Sequence, residues 1–155
     1  MKATLTPSKI IVLIGTVSTF LICSFQPATK TLDYKDFTIE VPSHWEKVKV
    51  QGIDSYVGRF SISANEYAGF DLGRYSSKLE GEDQKYEFTT INNKKAKIVR
   101  PKVSGKGLTG VYIDSIGNTP YGRIRFQLNG RNLTAASEEL LLTAIKTIKF
   151  ANTSN

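Results

Sequence analysis

Apolar and polar residues alternate along most of the chain after Tyr34, and this period of two predicts strands that each bury one face. The clearest example is 123–128, where three apolar residues alternate with two arginines and a glutamine. Seven further segments carry the same pattern: 37–41, 47–50, 56–63, 67–72, 86–90, 95–98 and 108–113. The sequence therefore predicts an antiparallel sheet of about six to eight strands.

Residues that favour turns separate these strands. Asn92-Asn93 and Asn129-Gly130 predict tight turns, because asparagine and glycine tolerate left-handed backbone. Longer loops are predicted at 79–85, which is rich in charge, and at 101–110, which is rich in glycine and lysine.

One segment near the end of the chain has the period of a helix. The spacing predicts an amphipathic helix over Glu138–Thr147, capped by Ser137 and packed on the sheet through one apolar face. That face comprises Leu140, Leu141, Ala144, Ile145 and Ile148. Because one short helix cannot cover such a sheet, a further helical piece is expected around Tyr75–Leu79. The predicted fold class is α+β.

The first residues differ from the rest in composition. Lys2 and Lys9 precede or border a run of 16 uncharged, mostly apolar residues, Ile10–Phe25, which is shorter than a bilayer span. This pattern is typical of a secretory signal, so we expect export, to the periplasm or to a membrane. Cys23 at the end of the run resembles the lipid-bearing cysteine of a bacterial lipoprotein. An ordinary cleaved signal and a retained anchor remain open alternatives.

The expected organisation follows from these patterns. Residues 1–25 form a signal peptide or lipoprotein leader, 26–33 a linker, 34–150 a single α+β domain, and 151–155 a frayed tail. The 155 residues carry Lys+Arg 21 against Asp+Glu 14, a net charge of +7, with one Cys and one His. These counts exclude an internal disulfide framework and multi-histidine metal sites, so we expect no metal and no cofactor.

The two ends of the predicted domain resemble those of a known family. The segment 37–45, Phe-Thr-Ile-Glu-Val-Pro-Ser-His-Trp, resembles the opening strand, proline and tryptophan of PsbP-like domains, which are named for an extrinsic subunit of photosystem II. The segment 140–150 resembles the closing helix and strand of that fold. The resemblance implies an antiparallel sheet between helices without an enzymatic role.

Basic residues are concentrated in two neighbouring parts of the sequence. Lys95, Lys97 and Arg100 belong to an acid-free stretch at 94–106, and Arg123 and Arg125 belong to the clearest strand. If both strands present these side chains to solvent, they form a patch for anionic lipid headgroups, polyanionic glycans or an acidic envelope protein. Export disfavours nucleic acid as the partner. A solvated outer face is the alternative.

A second candidate binding surface lies in the aromatic-rich segment 54–79. Tyr56 and Tyr75 lie there with Arg59 and Arg74, a combination suited to a partner or a ligand. The alternative is that these aromatic residues fill the core of the sheet.

Three further motifs have weak catalytic interpretations. Asp54, Asp71 and Asp114 would form a hydrolase site only if the fold brought their carboxylates together. His44 lacks an obvious partner for catalysis. Residues 105–110 match G-x-G-x-x-G, but a strand pattern follows where a nucleotide-binding motif requires a helix, so a loop is expected.

The sequence thus favours an exported, non-catalytic binding or accessory domain of the cell envelope. A carboxylate-dependent hydrolase of an envelope substrate and a structural subunit of an envelope complex are the alternatives.

Overall fold

The chain forms ten strands and one helix in the computed structural model, which describes residues 28–52 and 55–151. The elements in chain order are β1 (Thr29–Tyr34), β2 (Phe37–Pro42), β3 (Glu46–Val48), β4 (Tyr56–Ser61), β5 (Tyr67–Gly73), β6 (Gln84–Ile91), β7 (Lys94–Pro101), β8 (Leu108–Thr119), β9 (Gly122–Arg131), α1 (Ala135–Ile145) and β10 (Lys149–Phe150). The predicted α+β class is confirmed.

The strands form two antiparallel sheets where the sequence predicted one. The large sheet has seven strands in the order β3-β4-β5-β9-β8-β7-β6, and the small sheet has three in the order β1-β2-β10. Helix α1 packs on β2, β8 and β9. The small sheet and α1 together cover one face of the large sheet, which a single helix of 11 residues would leave largely exposed.

The segment predicted as a linker, 26–33, contains most of strand β1. Residues Thr29–Tyr34 pair with β2 along their whole length, and Leu32 is buried among core residues. The strand pattern is weak here, because Leu32 is the one buried position of β1 and the residues beside it are polar or charged. Tertiary pairing with β2 therefore decides the conformation of this segment.

Aromatic residues join the two sheets into one core. Phe37 of β2 makes edge contacts with Phe70 at 4.8 Å and with Phe126 at 5.0 Å between ring centroids. Trp45, which is completely buried, stacks on Phe60 of β4 with centroids 5.3 Å apart. Gly58 of β4 leaves room for this packing, since a Cβ there would overlap the Phe70 ring.

Helix α1 begins three residues earlier than predicted. Its N-cap is Thr134, whose Oγ1 accepts from the backbone N–H of Ser137 at 3.3 Å, so Ser137 lies inside the first turn. The apolar face also differs in detail, because Leu142 is buried while Leu140 is half-buried. The side chain of Glu66, in the loop before β5, takes part in the cap by accepting from the Thr134 N–H at 2.5 Å and the Ser137 hydroxyl at 2.6 Å.

Two local predictions are wrong, and one is confirmed. Residues 75–79 form no helix, because the chain turns after β5 and the Ser76 hydroxyl is held by the carbonyl groups of neighbouring strands. Asn129-Gly130 lies inside β9, and the chain turns instead at Asn132, whose φ is 53°. The predicted turn at Asn92-Asn93 joins β6 to β7, with φ of 45° and 62°.

Several predictions concern residues outside the described ranges. The leader with Cys23, the residue Asp54 and the end of the predicted frayed tail, 152–155, all lie there. Within the described ranges, no helix has both the length and the apolar character that crossing a membrane requires.

Candidate functional site

The large sheet has one face that no described helix or strand covers, which we call the open face. The segment after β5 crosses part of this face, where Leu79 packs on Val99 and Tyr112. The pairing register places Arg59, Asp71, Gln127 and Tyr112 on this face, opposite the core residues that point toward α1 and the small sheet. Two concave regions are found there or at its edge. The first is lined by residues of β9 and of the turns next to it and after β5, and the second by residues of β4, β5 and β9.

The first region, the Arg–Tyr site, is formed by Arg74, Tyr75, Tyr121, Arg123 and Arg125. These residues line a cavity of about 280 Å³ at the end of β5 and the start of β9. An adjoining cavity of about 740 Å³ is lined by Arg74, Tyr75 and Tyr121 together with Tyr56. The site is open to solvent, since Tyr75 and Tyr121 are each 80% exposed.

Arg74 is held between the two exposed tyrosines. Its Nη1 donates to the Tyr121 carbonyl oxygen at 2.9 Å, and its Nη2 donates to the Tyr75 hydroxyl at 3.2 Å. The guanidinium carbon lies 5.2 Å from the Tyr75 ring centroid and 5.9 Å from that of Tyr121. The Arg74 carbonyl accepts from Arg125 Nη1. These contacts fix the positions of two guanidinium groups before any ligand binds.

Asp114 neutralises part of the positive charge at this site. Its carboxylate accepts from Tyr112 at 2.8 Å, from Arg123 at 2.6 Å and from Arg125 at 3.3 Å. The hydrogen bond from Tyr112, followed by that from Arg123, holds the pKa of Asp114 below its usual value. Three arginines and one aspartate leave a local charge of 3 − 1 = +2. The site therefore attracts anions.

The other basic residues singled out in the sequence do not join this site. Lys97 on β7 is largely covered, with its ammonium 3.7 Å from Glu80 and over the rings of Tyr86 and Tyr112. Arg100 pairs with Glu139 of α1 at 2.5 Å. Lys95 is exposed on β7, and strand β8 separates it from β9.

The structure therefore assembles some of the candidate residues and separates others. It brings Arg123, Arg125, Tyr56 and Tyr75 around two adjoining cavities. Tyr121 was not among the candidate residues. The sequence does contain a feature that indicates exposure of Tyr121. This residue directly precedes Gly122 in the turn between β8 and β9, and a side chain in such a turn is seldom buried.

The second region, the groove, lies on the open face above β4, β5 and β9. It has a volume of about 600 Å³, and its lining includes Arg59, Tyr67, Asp71, Asn129 and Arg131. Gly69 lies in the groove between these side chains, and a Cβ there would meet only the Gly58 carbonyl oxygen, at 3.4 Å. The groove is thus a depression made by a missing side chain and bordered by polar ones.

Asp71 in the groove has an unusual environment. Its Oδ1 is shielded from solvent and receives no hydrogen bond from any described residue. A buried acceptor without a donor carries a free-energy cost, which the packing of the rest of the fold offsets.

The features with catalytic interpretations are placed apart. Asp114 lies on β8, where it accepts hydrogen bonds from two arginines of β9. Asp71 lies in the groove on β5, and β9 runs between β5 and β8. His44 is exposed in the turn after β2. Of residues 105–110, which were predicted to form a loop, 105–107 lie in the loop before β8 and 108–110 are the first residues of β8. The Gly105 N–H donates to Glu138 at 2.9 Å. In the described ranges, no group of three potential metal ligands is found.

The chain matches no protein-family model and no curated protein. Its function is therefore inferred from the Arg–Tyr site and the groove, through the chemistry of the side chains that line them.

Proposed function

We propose that the protein is an exported, non-catalytic binding domain of the bacterial envelope and that its Arg–Tyr site binds an acidic polysaccharide. The observation that carries the proposal is the convergence of three guanidinium groups and two exposed tyrosine rings around one open cavity. Arginine pairs with planar carboxylates in bidentate geometry, which supplies recognition of the acid group. The apolar faces of sugar rings pack on exposed aromatic rings, as Tyr75 and Tyr121 offer here.

The site is also organised in advance for such a ligand. Arg74 and Arg125 are fixed by hydrogen bonds to the backbone, so little side-chain entropy is lost when an anion binds. Tyrosine has few rotatable bonds, which adds contact area at a low entropic cost. Asp114 limits the charge without removing it, so that a carboxylate binds by specific contacts more than by general attraction.

Export and the PsbP-like relationship are parts of this proposal. The charged and apolar leader supports export, and a lipid on Cys23 or a retained leader would tether the domain to a membrane. The two segments that resemble PsbP-like domains meet in the small sheet, where β10 pairs with Phe37 and Thr38 of β2. This meeting of the two ends supports the relationship.

The test measures binding of the full chain, in non-ionic detergent, to polygalacturonate by titration calorimetry. We expect Arg74→Gln and Arg123→Gln each to weaken binding by about ten-fold, because each removes a charged hydrogen-bond donor. Lys95→Gln is the matched control, since it removes one positive charge from an exposed position outside the site. Equal weakening by Lys95→Gln, or equal binding of neutral dextran, would overturn the proposal.

A second proposal, a structural role in an envelope complex, is supported by strand β6. This strand is an edge of the large sheet, and Phe88 on it is 78% exposed. Unpaired backbone groups and an exposed aromatic side chain favour addition of a partner strand. Chemical cross-linking in envelope fractions tests this role, and a partner whose capture Phe88→Lys abolishes would support it. Capture that is unchanged by Phe88→Lys would contradict it.

A further inference from the structure

We infer that strand β6 pairs with β6 of a second copy of this chain, antiparallel and about a twofold axis at Phe88, so that two large sheets become one. This inference rests on the second proposal above, in which a partner strand adds to the edge of β6, and it names that partner. It follows from the direction of the backbone groups along β6 and from the positions of its charges.

The turn between β6 and β7 decides which backbone groups of β6 are free. The two-residue turn at 92–93 is closed by Ile91 and Lys94, and such a closing pair exchanges both of its backbone hydrogen bonds. Because the bonding direction alternates along a strand, the odd-numbered residues of β6 bond to β7. Three even-numbered residues therefore direct their N–H and C=O groups to the free edge, where no described residue bonds to them: Tyr86, Phe88 and Thr90.

This edge of the sheet is long, regular and exposed. All eight residues of β6 pair with β7 without a bulge, and residues 85–90 are exposed on both faces of the strand. The strand at the opposite edge, β3, has only three residues. Proteins that stay monomeric usually shorten, bend or cover their edge strands, because free backbone groups pair with other chains. The edge of β6 has none of these protections.

An axis at Phe88 uses all of the free backbone groups. It places Phe88 opposite Phe88 of the second copy and Tyr86 opposite Thr90, so three pairs with two bonds each give 3 × 2 = 6 hydrogen bonds between the copies. The pairing of Phe88 with Lys97, and of Lys97 with Tyr112, places the Phe88 ring on the open face. The ring is 78% exposed in a single copy, and a cross-strand aromatic pair would cover part of it.

The charges on the other face of β6 favour the same register. With the axis at Phe88, Glu87 lies opposite Thr89 of the second copy. Lys85 lies opposite Ile91 of the second copy, so no like charges are directly opposed. An axis at Glu87 would set two carboxylates directly opposite each other, which opposes pairing. Hydrogen bonding and charge therefore select the same axis.

The first experiment measures the mass of the full chain, in non-ionic detergent, by analytical ultracentrifugation over a range of protein concentrations. We expect a monomer–dimer equilibrium. Phe88→Lys sets two ammonium groups opposite each other and should weaken dimerisation by at least about ten-fold. Val103→Lys is the matched control, since it adds a lysine at another exposed apolar position, 59% exposed and outside β6, and should leave the equilibrium unchanged.

A second pair of variants tests whether the backbone makes the contact. Thr90→Pro removes an N–H that points to the free edge and keeps the ladder with β7, so it should weaken dimerisation by about ten-fold or more. Thr90→Val keeps the N–H and is the control. Circular dichroism spectra establish that the variants fold.

A disulfide tests the position of the axis. Hydrogen-bonded residues of antiparallel strands have Cα atoms about 5.5 Å apart, which a disulfide can span. In a chain with Cys23→Ser, which removes the one native cysteine, Phe88→Cys should therefore give a covalent dimer under mild oxidation. Val103→Cys in the same chain should remain a monomer. Equal cross-linking of the two variants would contradict the axis at Phe88.

The outcomes separate the inference from the second proposal. A monomer at every concentration would overturn the inference, as would a dimer that both Phe88→Lys and Thr90→Pro leave intact. If cross-linking in envelope fractions then captures a different protein through Phe88, the inference fails and the second proposal stands. A monomer in solution, together with capture that is unchanged by Phe88→Lys, would overturn both.

Discussion

The two faces of the large sheet are built from the same strands but differ in role: one packs in the core, and the other presents polar side chains to solvent. The covered face carries Phe60 and Phe126, which are fully buried, and the neighbouring open face carries Arg59, Asp71 and Arg125. Side chains alternate between the faces along every strand, so each strand contributes to both. Burial on one face supplies the stability that allows charged and unpaired groups to persist on the other.

The largest expected effect on stability comes from the buried core beneath the covered face. Trp45→Ala removes a completely buried ring that stacks on Phe60, and we expect unfolding free energy to fall by about 3–5 kcal/mol. Urea unfolding followed by circular dichroism measures this change. Trp45→Phe is the control and should cost about 1.5 kcal/mol or less, since a ring remains and the buried indole N–H has no partner among described residues. A similar loss in both variants would contradict the assigned packing.

Two glycines compare the faces most directly. Gly58→Ala directs a methyl group into the Phe70 ring, and we expect a loss of about 1–3 kcal/mol in unfolding free energy. Gly69→Ala, on the adjacent strand, directs its methyl group into the open groove and should change stability by less than about 0.5 kcal/mol. Urea titrations of both variants measure the difference. Equal losses would mean that the open face is packed.

A smaller effect is expected at the N-terminus of α1 and depends on pH. Burial alone would raise the pKa of Glu66, but hydrogen bonds from Ser137, Thr134 and Ser63 outweigh it and hold the pKa below the usual value. A lowered pKa in the folded state stabilises the protein above the unfolded value of about 4.3, and this stability is lost as pH falls through the folded pKa.

Glu66→Gln tests this contribution. At pH 7 we expect the variant to be about 1 kcal/mol less stable than the wild type, because hydrogen bonds to a charged acceptor are lost. Unfolding in urea at pH 7 and at pH 3 should show a smaller gap at pH 3. A gap that is constant or larger in acid would show that the Glu66 carboxylate does not support the helix.

The smallest effect on stability is expected within the Arg–Tyr site. The ion pair of Arg123 with Asp114 is exposed, with side-chain exposures of 63% and 47%, so Arg123→Gln should change unfolding free energy by less than about 0.5 kcal/mol. The same variant weakens the proposed ligand binding, which is measured in the calorimetric titration. A large loss of unfolding free energy would show that Arg123 stabilises the fold, as the residues of the covered face do.

The sequence predicted more of the fold than of the candidate site. Regular alternation identified the strands from β2 to β9, because a strand with one buried face imposes a period of two on its own residues. It missed β1 because the alternation there is weak, and it placed a turn at Asn129-Gly130. Gly130 lies within β9, where its missing side chain admits Leu133 to the core. Local turn preference was outweighed there by packing.

The candidate site was predicted only in fragments. Arg123, Arg125, Tyr56 and Tyr75 were among the candidate residues, but so were Lys97 and Arg100, which the structure places in ion pairs. The sequence does not show which acidic residue pairs with a given basic one. Glu80 pairs with Lys97, and Glu139 pairs with Arg100, from distant parts of the chain. Whether a charge is free depends on neighbours that are distant along the chain.

By itself, the sequence determined the class of fold, the strand faces, the amphipathic helix and the candidate residues, because these depend on periodicity and residue type. Tertiary structure alone decided that the strands divide into two sheets, that α1 and the small sheet cover one face, and that Arg74, Tyr121 and Arg125 meet at one end of the other. The physical reason is that register between distant strands, set by the packing of the shared core, decides which side chains become neighbours.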